Sequence, residues 1–250
     1  GDAEPAIWEW NGLAWSQPDL TVGPLPRWGA AVAYRPGWGV AMRSGTDRTM
    51  GPSFDDFWTY DGDWTAHEWS RQPGALLEPA GAFDSRTREV VLFGGRTAPP
   101  SLSASPDQWS YDGTDWTLRD RIEAPPMTHP FSDMVDDAAH HRLLAVRPGP
   151  TEMETWAFRD GHWAQVQTVG APPYRRLTTL VYDATREVVV LFGGSRRNDT
   201  WELDGDTWTE RTPAESPPER SSAFGAFDPL RGEVVIFGGR DDAMRDDTWE

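Results

Sequence analysis

The sequence has no cysteine and no lysine. The first absence excludes disulfides, thiolate nucleophiles and cysteine-ligated metals, and it leaves the redox compartment unreadable. The second makes all 23 basic residues arginine, which, with the alanine, proline and glycine content, reads as a coding bias rather than as chemistry. No apolar stretch reaches the roughly 20 residues of a membrane-spanning helix, and no basic-plus-apolar leader opens the chain. A soluble protein is expected, cytoplasmic or secreted with its signal peptide absent from this chain. Positive charge is also short. With 40 acidic residues against 23 basic ones the formal net charge is −17, which argues against nucleic acid and anionic membranes as partners. No glycine-rich phosphate loop and no nucleophile elbow occurs.

Tryptophan, by contrast, is plentiful: 15 in 250 residues. Twelve of them belong to one recurring phrase, seen most clearly as "DTWELDGDTW" at residues 199–208. Apolar and polar residues alternate around Trp201 and Leu203, the period of a half-buried strand. Asp204-Gly205 then supplies a tight turn, since glycine accepts the positive φ angles such turns need. Trp208 lies on the returning strand. The phrase opens at Trp8, Trp58, Trp109, Trp156, Trp201 and Trp249, at intervals of 45 to 51 residues. A second strand pair precedes it, as in "LTTLVYDATREVVVLFGG" (177–194), with counterparts at 80–95 and 222–239. Each unit therefore holds four strands, a to d, that cannot bury their own faces and must stack on neighbours.

The expected fold is all-β: a β-propeller of four-stranded antiparallel blades, five in number, closed by strands from both termini. The repeats run about 27–72, 76–120, 129–168, 174–213 and 220–250, with residues 7–17 closing the ring, in one domain over 1–250. Asp247-Thr248-Trp249-Glu250 also opens a c strand, which competes with that closure. Phe-Gly-Gly ending strand b, a tryptophan in strands c and d, and an arginine opening strand a resemble kelch repeats, in the divergent form of bacterial kelch-like proteins. The resemblance covers essentially the whole chain and implies a propeller. Its functions span protein-binding modules, sugar-related enzymes and oxidases, so the fold does not fix the activity.

Up-and-down strand order sends the b–c loops and d–a connections to one face. An arginine stands near the end of every strand b: Arg43, Arg96, Arg147, Arg196 and Arg240. Arg27, Arg175 and Arg220 open three of the a strands. Guanidinium forks match carboxylate and phosphate oxygens in pairs, so a mouth for an anionic ligand is one reading. The other is structural. A carboxylate lies two residues before each strand-c tryptophan (Asp56, Asp107, Glu154, Asp199, Asp247), and each arginine can pair with the acid of its own blade. Departures from the repeat single out Trp28, Phe131, Tyr174 and Arg176. The candidate ligand-binding set is thus Arg27, Trp28, Arg43, Phe131, Tyr174, Arg175, Arg176, Arg220 and Arg240.

Catalysis has little support. Galactose-oxidase-like chemistry needs a cysteine-linked tyrosine, and there is no cysteine. Of five histidines only His129 maps to the mouth, as a candidate general base. The five repeat acids spread outward along the blades, too far apart for one cation, so no metal and no cofactor are expected. The expected function is a non-catalytic binding propeller for an acidic peptide, a small anion or another protein. The alternative is an enzyme acting on a small or sugar-like substrate at the same mouth.

Overall fold

A computed structural model describes residues 7–20, 22–47, 53–68, 72–97, 101, 103–119 and 133–250. Apart from one 3-10 turn at Ala138–His140, every regular element among them is a strand. The fold is all-β and of the five-bladed β-propeller class, and in each sheet strands consecutive in the chain are neighbours. The chain divides into two compact units, Gly1–Phe83 with Arg88–Asp120, and Asp84–Thr87 with Arg121–Glu250.

The first unit begins with a hairpin, β1 (Glu9–Trp10) and β2 (Trp15–Ser16). The first sheet follows as β3 (Ala31–Arg35), β4 (Gly39–Arg43), β5 (Phe57–Tyr60) and β6 (Trp64–His67). Beyond β7 (Leu76–Leu77) comes the second sheet, β8 (Ala80–Asp84), β9 (Glu89–Phe93), β11 (Gln108–Tyr111) and β12 (Trp116–Arg119), while β10 (Arg96–Thr97) pairs back with β7. The two sheets share a core in which Phe57 meets Tyr111 and Trp116 edge-on, at centroid distances of 4.9 and 5.3 Å. Of the repeat tryptophans here, Trp116 is fully buried in this core and Trp109 packs against it, burying large apolar areas, whereas Trp8 is exposed. Tyr60 Oη donates to a Glu9 carboxylate oxygen at 2.6 Å, tying the hairpin to the first sheet. That bond, with burial, pushes the Tyr60 phenol up to about 12.

The second unit holds three sheets. The third is β13 (Asp133–Asp137), β14 (Arg142–Pro148), β15 (Met153–Arg159) and β16 (His162–Val166); the fourth is β17 (Thr179–Asp183), β18 (Val188–Phe192), β19 (Thr200–Asp204) and β20 (Thr207–Arg211). The fifth has three strands among the described residues, β21 (Phe224–Asp228), β22 (Glu233–Phe237) and β23 (Thr248–Trp249). Sheet stacks on sheet with side chains from β14, β17, β18 and β19 forming the core. Trp208 adds a hydrogen bond from its indole N–H to Thr155 Oγ1 at 3.0 Å, fourth sheet to third. Close approach between the fourth and fifth sheets depends on Gly225. A Cβ there would sit 2.4 Å from Thr179 Cγ2 and 2.6 Å from Val181 Cγ2, so a larger residue would force the sheets apart.

The polar turns joining strands a and b are held by their aspartates. Asp183 accepts the N–H groups of Thr185 and Arg186, and Asp228 those of Leu230 and Arg231. These are Asx turns, in which a short carboxylate replaces the missing backbone partner. In the fifth sheet the third place, beside β22, is taken by β23, with Ile236 opposite Trp249. The segment after β22 thus supplies the neighbouring strand itself, while the hairpin of residues 7–17 has β1 and β2 paired with each other, as a c–d hairpin does.

Candidate functional site

The b–c loops and d–a connections are organised by a repeated ion-pair knot. Arg175 is fully buried, and its two terminal nitrogens bond the two oxygens of Asp199 at 2.5 and 2.8 Å. The indole N–H of Trp201 reaches the same carboxylate at 2.9 Å. Arg220, Asp247 and Trp249 repeat the arrangement with 2.7 Å contacts throughout. In the first sheet Arg27 forks onto Asp56, which also takes the Trp58 indole at 2.7 Å. Burial works against ionisation of Asp199, but the Arg175 and Trp201 bonds outweigh it and hold the carboxyl below its ordinary range. Arg220 does the same for Asp247, more strongly.

The third sheet builds the knot differently. Its arginine is Arg147, from the end of β14, bonded to Glu154 at 2.7 Å, with the Trp156 indole completing the group at 3.1 Å. The second sheet has Leu76 where an opening arginine would stand, and Arg96 turns to Glu78 at 2.7 Å. The sequence shows the acid and the tryptophan two residues apart but not their bond. Side chains at i and i+2 of a strand share a face, and that spacing was the available signal.

Arg27, Arg175 and Arg220 are therefore occupied by carboxylates of their own sheets, as in the structural reading of the repeat. Arg43 is buried as well; it donates to Gln72 Oε1 at 3.2 Å and to the Pro73 carbonyl, and burial lowers its pKa to about 10. Trp28 is half-exposed in the first unit, its backbone paired with Thr46. Phe131 and His129 lie outside the described residues. Tyr174, Arg176 and Arg240 are exposed on the loop face of the second unit. Tyr174 Oη accepts the Arg176 Nε–H at 2.8 Å. Neither Arg176 nor Arg240 forms an ion pair among the described residues.

Arg240 lines a surface cleft of about 370 Å³ in the second unit, together with Leu177, Arg196, Ser221, Asp242 and Met244. Its walls come from the d–a connections of the fourth and fifth sheets and the b–c loops that follow β18 and β22. Four non-glycine residues here have left-handed backbone: Leu177, Ser195, Arg196 and Ser222, with φ between 48° and 60°. Such conformations cost of order 1–3 kcal/mol each where local bonds do not repay them. Here bonds do hold them. Ser222 N donates to Leu177 O at 2.9 Å, Ser195 N to Arg176 O at 2.9 Å, and Arg196 N to Ser221 Oγ at 3.1 Å. Arg196 pairs with Asp242 across the opening. The rim is thus held by backbone bonds and carries one paired and one unpaired guanidinium, beside Asp241, whose carboxylate takes Arg245. Among the described residues no three His, Cys, Asp or Glu side chains gather as metal ligands would.

No family model and no curated protein matches the sequence. Solved structures do. The structure of YjhT matches with a TM-score of 0.62 at 14% identity, over 88% of this chain and 75% of that one. A fungal alcohol oxidase of the AA5 family in complex with copper gives 0.52 and 14%, over 88% of this chain and 48% of the oxidase. The Aleuria aurantia lectin, as a point mutant in complex with Fucα1-6GlcNAc, gives 0.55 and 14%, over 84% of this chain and 72% of the lectin. At this identity the likeness shows the propeller fold and nothing finer.

Proposed function

We propose that this chain is a kelch-like, non-catalytic binding propeller whose loop face in the second unit takes a small anion or an acidic peptide. The observation that carries the reading is the contrast between its arginines. Those opening strands a are buried and spent on their own sheets' carboxylates, whereas Arg240 and Arg176 stand exposed without one, beside this cleft, in a chain of net charge −17. An unpaired guanidinium in an acidic protein is a selective anchor, since it offers parallel donors that a carboxylate fits. Leu177 and Met244 supply apolar contact at the rim. The lectin neighbour supports the coarser statement, that a propeller of this shape can hold a small ligand.

Isothermal titration with a glutamate-rich peptide and a dicarboxylate panel tests this. Arg240→Ala combined with Arg176→Ala should weaken binding at least tenfold, as loss of charged hydrogen bonds worth about 1.5–3 kcal/mol each requires. Affinity should fall as salt rises, because exposed charges are screened over about 8–10 Å. Equal binding by parent and double variant would remove the site. The same ligands bound with no salt dependence would remove the electrostatic basis.

A further inference from the structure

The first sheet breaks the repeat at one buried position. Near the end of strand b the other sheets set an apolar residue opposite a polar one on strand c: Phe93 opposite Gln108, Val146 opposite Thr155, Phe192 opposite Thr200 and Phe237 opposite Thr248. The first sheet reverses the pair, with Arg43 opposite Phe57. Cross-strand partners share a face, and Phe57 belongs to the core between the first and second sheets. A guanidinium is thus carried into an apolar layer, where Arg43 is 1% exposed.

That charge has no carboxylate of its own. The terminal nitrogens of Arg43 go to Gln72 Oε1 and the Pro73 carbonyl, both neutral. Asp55 and Asp56 act on it only through space, and Asp56 is held by Arg27. The Arg43 Nε–H has no acceptor among the described residues, and neither has the indole N–H of Trp116. Trp116 is the counterpart of Trp208, whose indole N–H reaches Thr155 Oγ1. In the first sheet Phe57 stands in the place of Thr155 and meets Trp116 edge-on. Two orphaned donors in one core ask for a common cause, since buried polar groups are nearly always bonded. Both side chains line the same cavity of about 10 Å³, with the Arg43 guanidinium carbon 5.6 Å from the Trp116 ring centroid.

We propose that this cavity binds a monatomic anion, chloride, which takes the Arg43 Nε–H and the Trp116 indole N–H and balances the buried guanidinium. The volume admits one atom-sized occupant, which excludes carboxylates and phosphates. The lining decides between an ion and a water molecule. Ala31, Ala41, Val90 and Leu92 supply much of the remaining wall. A water molecule accepting both donors would turn its own hydrogens on side chains without an acceptor, at the cost of an unmade bond; a halide has no hydrogens to satisfy. The site lies wholly in the first unit and shares no residue with the cleft of the second.

Thermal melts test the site, with sodium chloride replacing sodium gluconate at constant ionic strength so that screening stays fixed. The parent's melting temperature should rise with chloride, as a ligand bound only by the folded state requires. Arg43→Met restores an apolar side chain at this position, and Trp116→Phe keeps an aromatic ring. Each should fold, as circular dichroism will show, and each should lose the rise. The double variant Arg176→Ala with Arg240→Ala should keep it. In crystals soaked in sodium bromide, an anomalous peak is expected between Arg43 Nε and Trp116 Nε1. A parent indifferent to chloride, a rise that survives in Arg43→Met, or an ordered water at the site with no bromide signal overturns the proposal. So does loss of the rise in the double variant, which would assign the chloride to the cleft.

Discussion

Asp199 receives three donors, two from Arg175 and one from the Trp201 indole. Removing its charge strands a guanidinium that has no exposure of its own. Asp199→Asn is therefore expected to cost about 3–5 kcal/mol, the usual penalty for breaking a buried pair from one side. Trp201→Phe removes one donor while Arg175 still satisfies the carboxylate, and should cost about 1–2 kcal/mol. Urea denaturation orders the two; a Trp201→Phe loss equal to that of Asp199→Asn would mean the indole, not the fork, anchors the knot. At this scale the sequence showed every member of the knot. It left two destinations for the arginines, because a fork suits an external anion as well as an internal one. Burial decides between them for Arg27, Arg175 and Arg220, and burial is a property of neighbours in space. The sequence places Arg240 at the end of a strand b and singles out Arg176 as a departure from the repeat, but only the structure shows both without a carboxylate among the described residues.

Strand β13 opens with an acid where the other sheets place Ala31, Ala80, Thr179 or Phe224. Asp133 accepts the Leu180 N–H at 3.2 Å, but burial prevails and pushes its carboxyl up to about 7. The folded state therefore holds this proton more tightly than the unfolded chain, whose aspartates titrate near about 3.9. Stability from this group is greatest at low pH and is lost as pH climbs from about 4 to about 7, with no further change above. Asp199 and Asp247 have the opposite sign, with stability lost only as pH falls below the ordinary carboxylate range. Between about pH 5 and about pH 8 Asp136, also raised by burial, and His67, lowered by burial, contribute as well, so the substitution rather than the interval singles out Asp133. Asp133→Asn should flatten the dependence of the urea midpoint on pH in that interval and raise the midpoint at its alkaline end. An unchanged slope would place the titrating group elsewhere. Elements of this kind were largely legible from periodicity, since the a–b turns and c–d hairpins repeat their signals along the chain. The partner of β22 was not, because two segments spell the same opening and only chain geometry chooses between them.

Across the whole molecule, a charge of −17 with no lysine sets acidic surface against itself. Repulsion of that kind weakens a compact state and is relieved by screening. The melting temperature is expected to rise between about 10 and 150 mM NaCl, as the Debye length shortens to about 8 Å. Scanning calorimetry at constant pH checks it, and a falling melting temperature would show that exposed ion pairs outweigh the repulsion. The repeat made the propeller class legible, since its strand and turn signals recur along the chain. The knots have a consequence of another order. Arg27 with Asp56, Arg175 with Asp199 and Arg220 with Asp247 each lie within a single repeat. A duplication or deletion of one of these repeats in the gene would therefore carry off or insert each such pair whole, so that neither partner of a knot is left buried without the other.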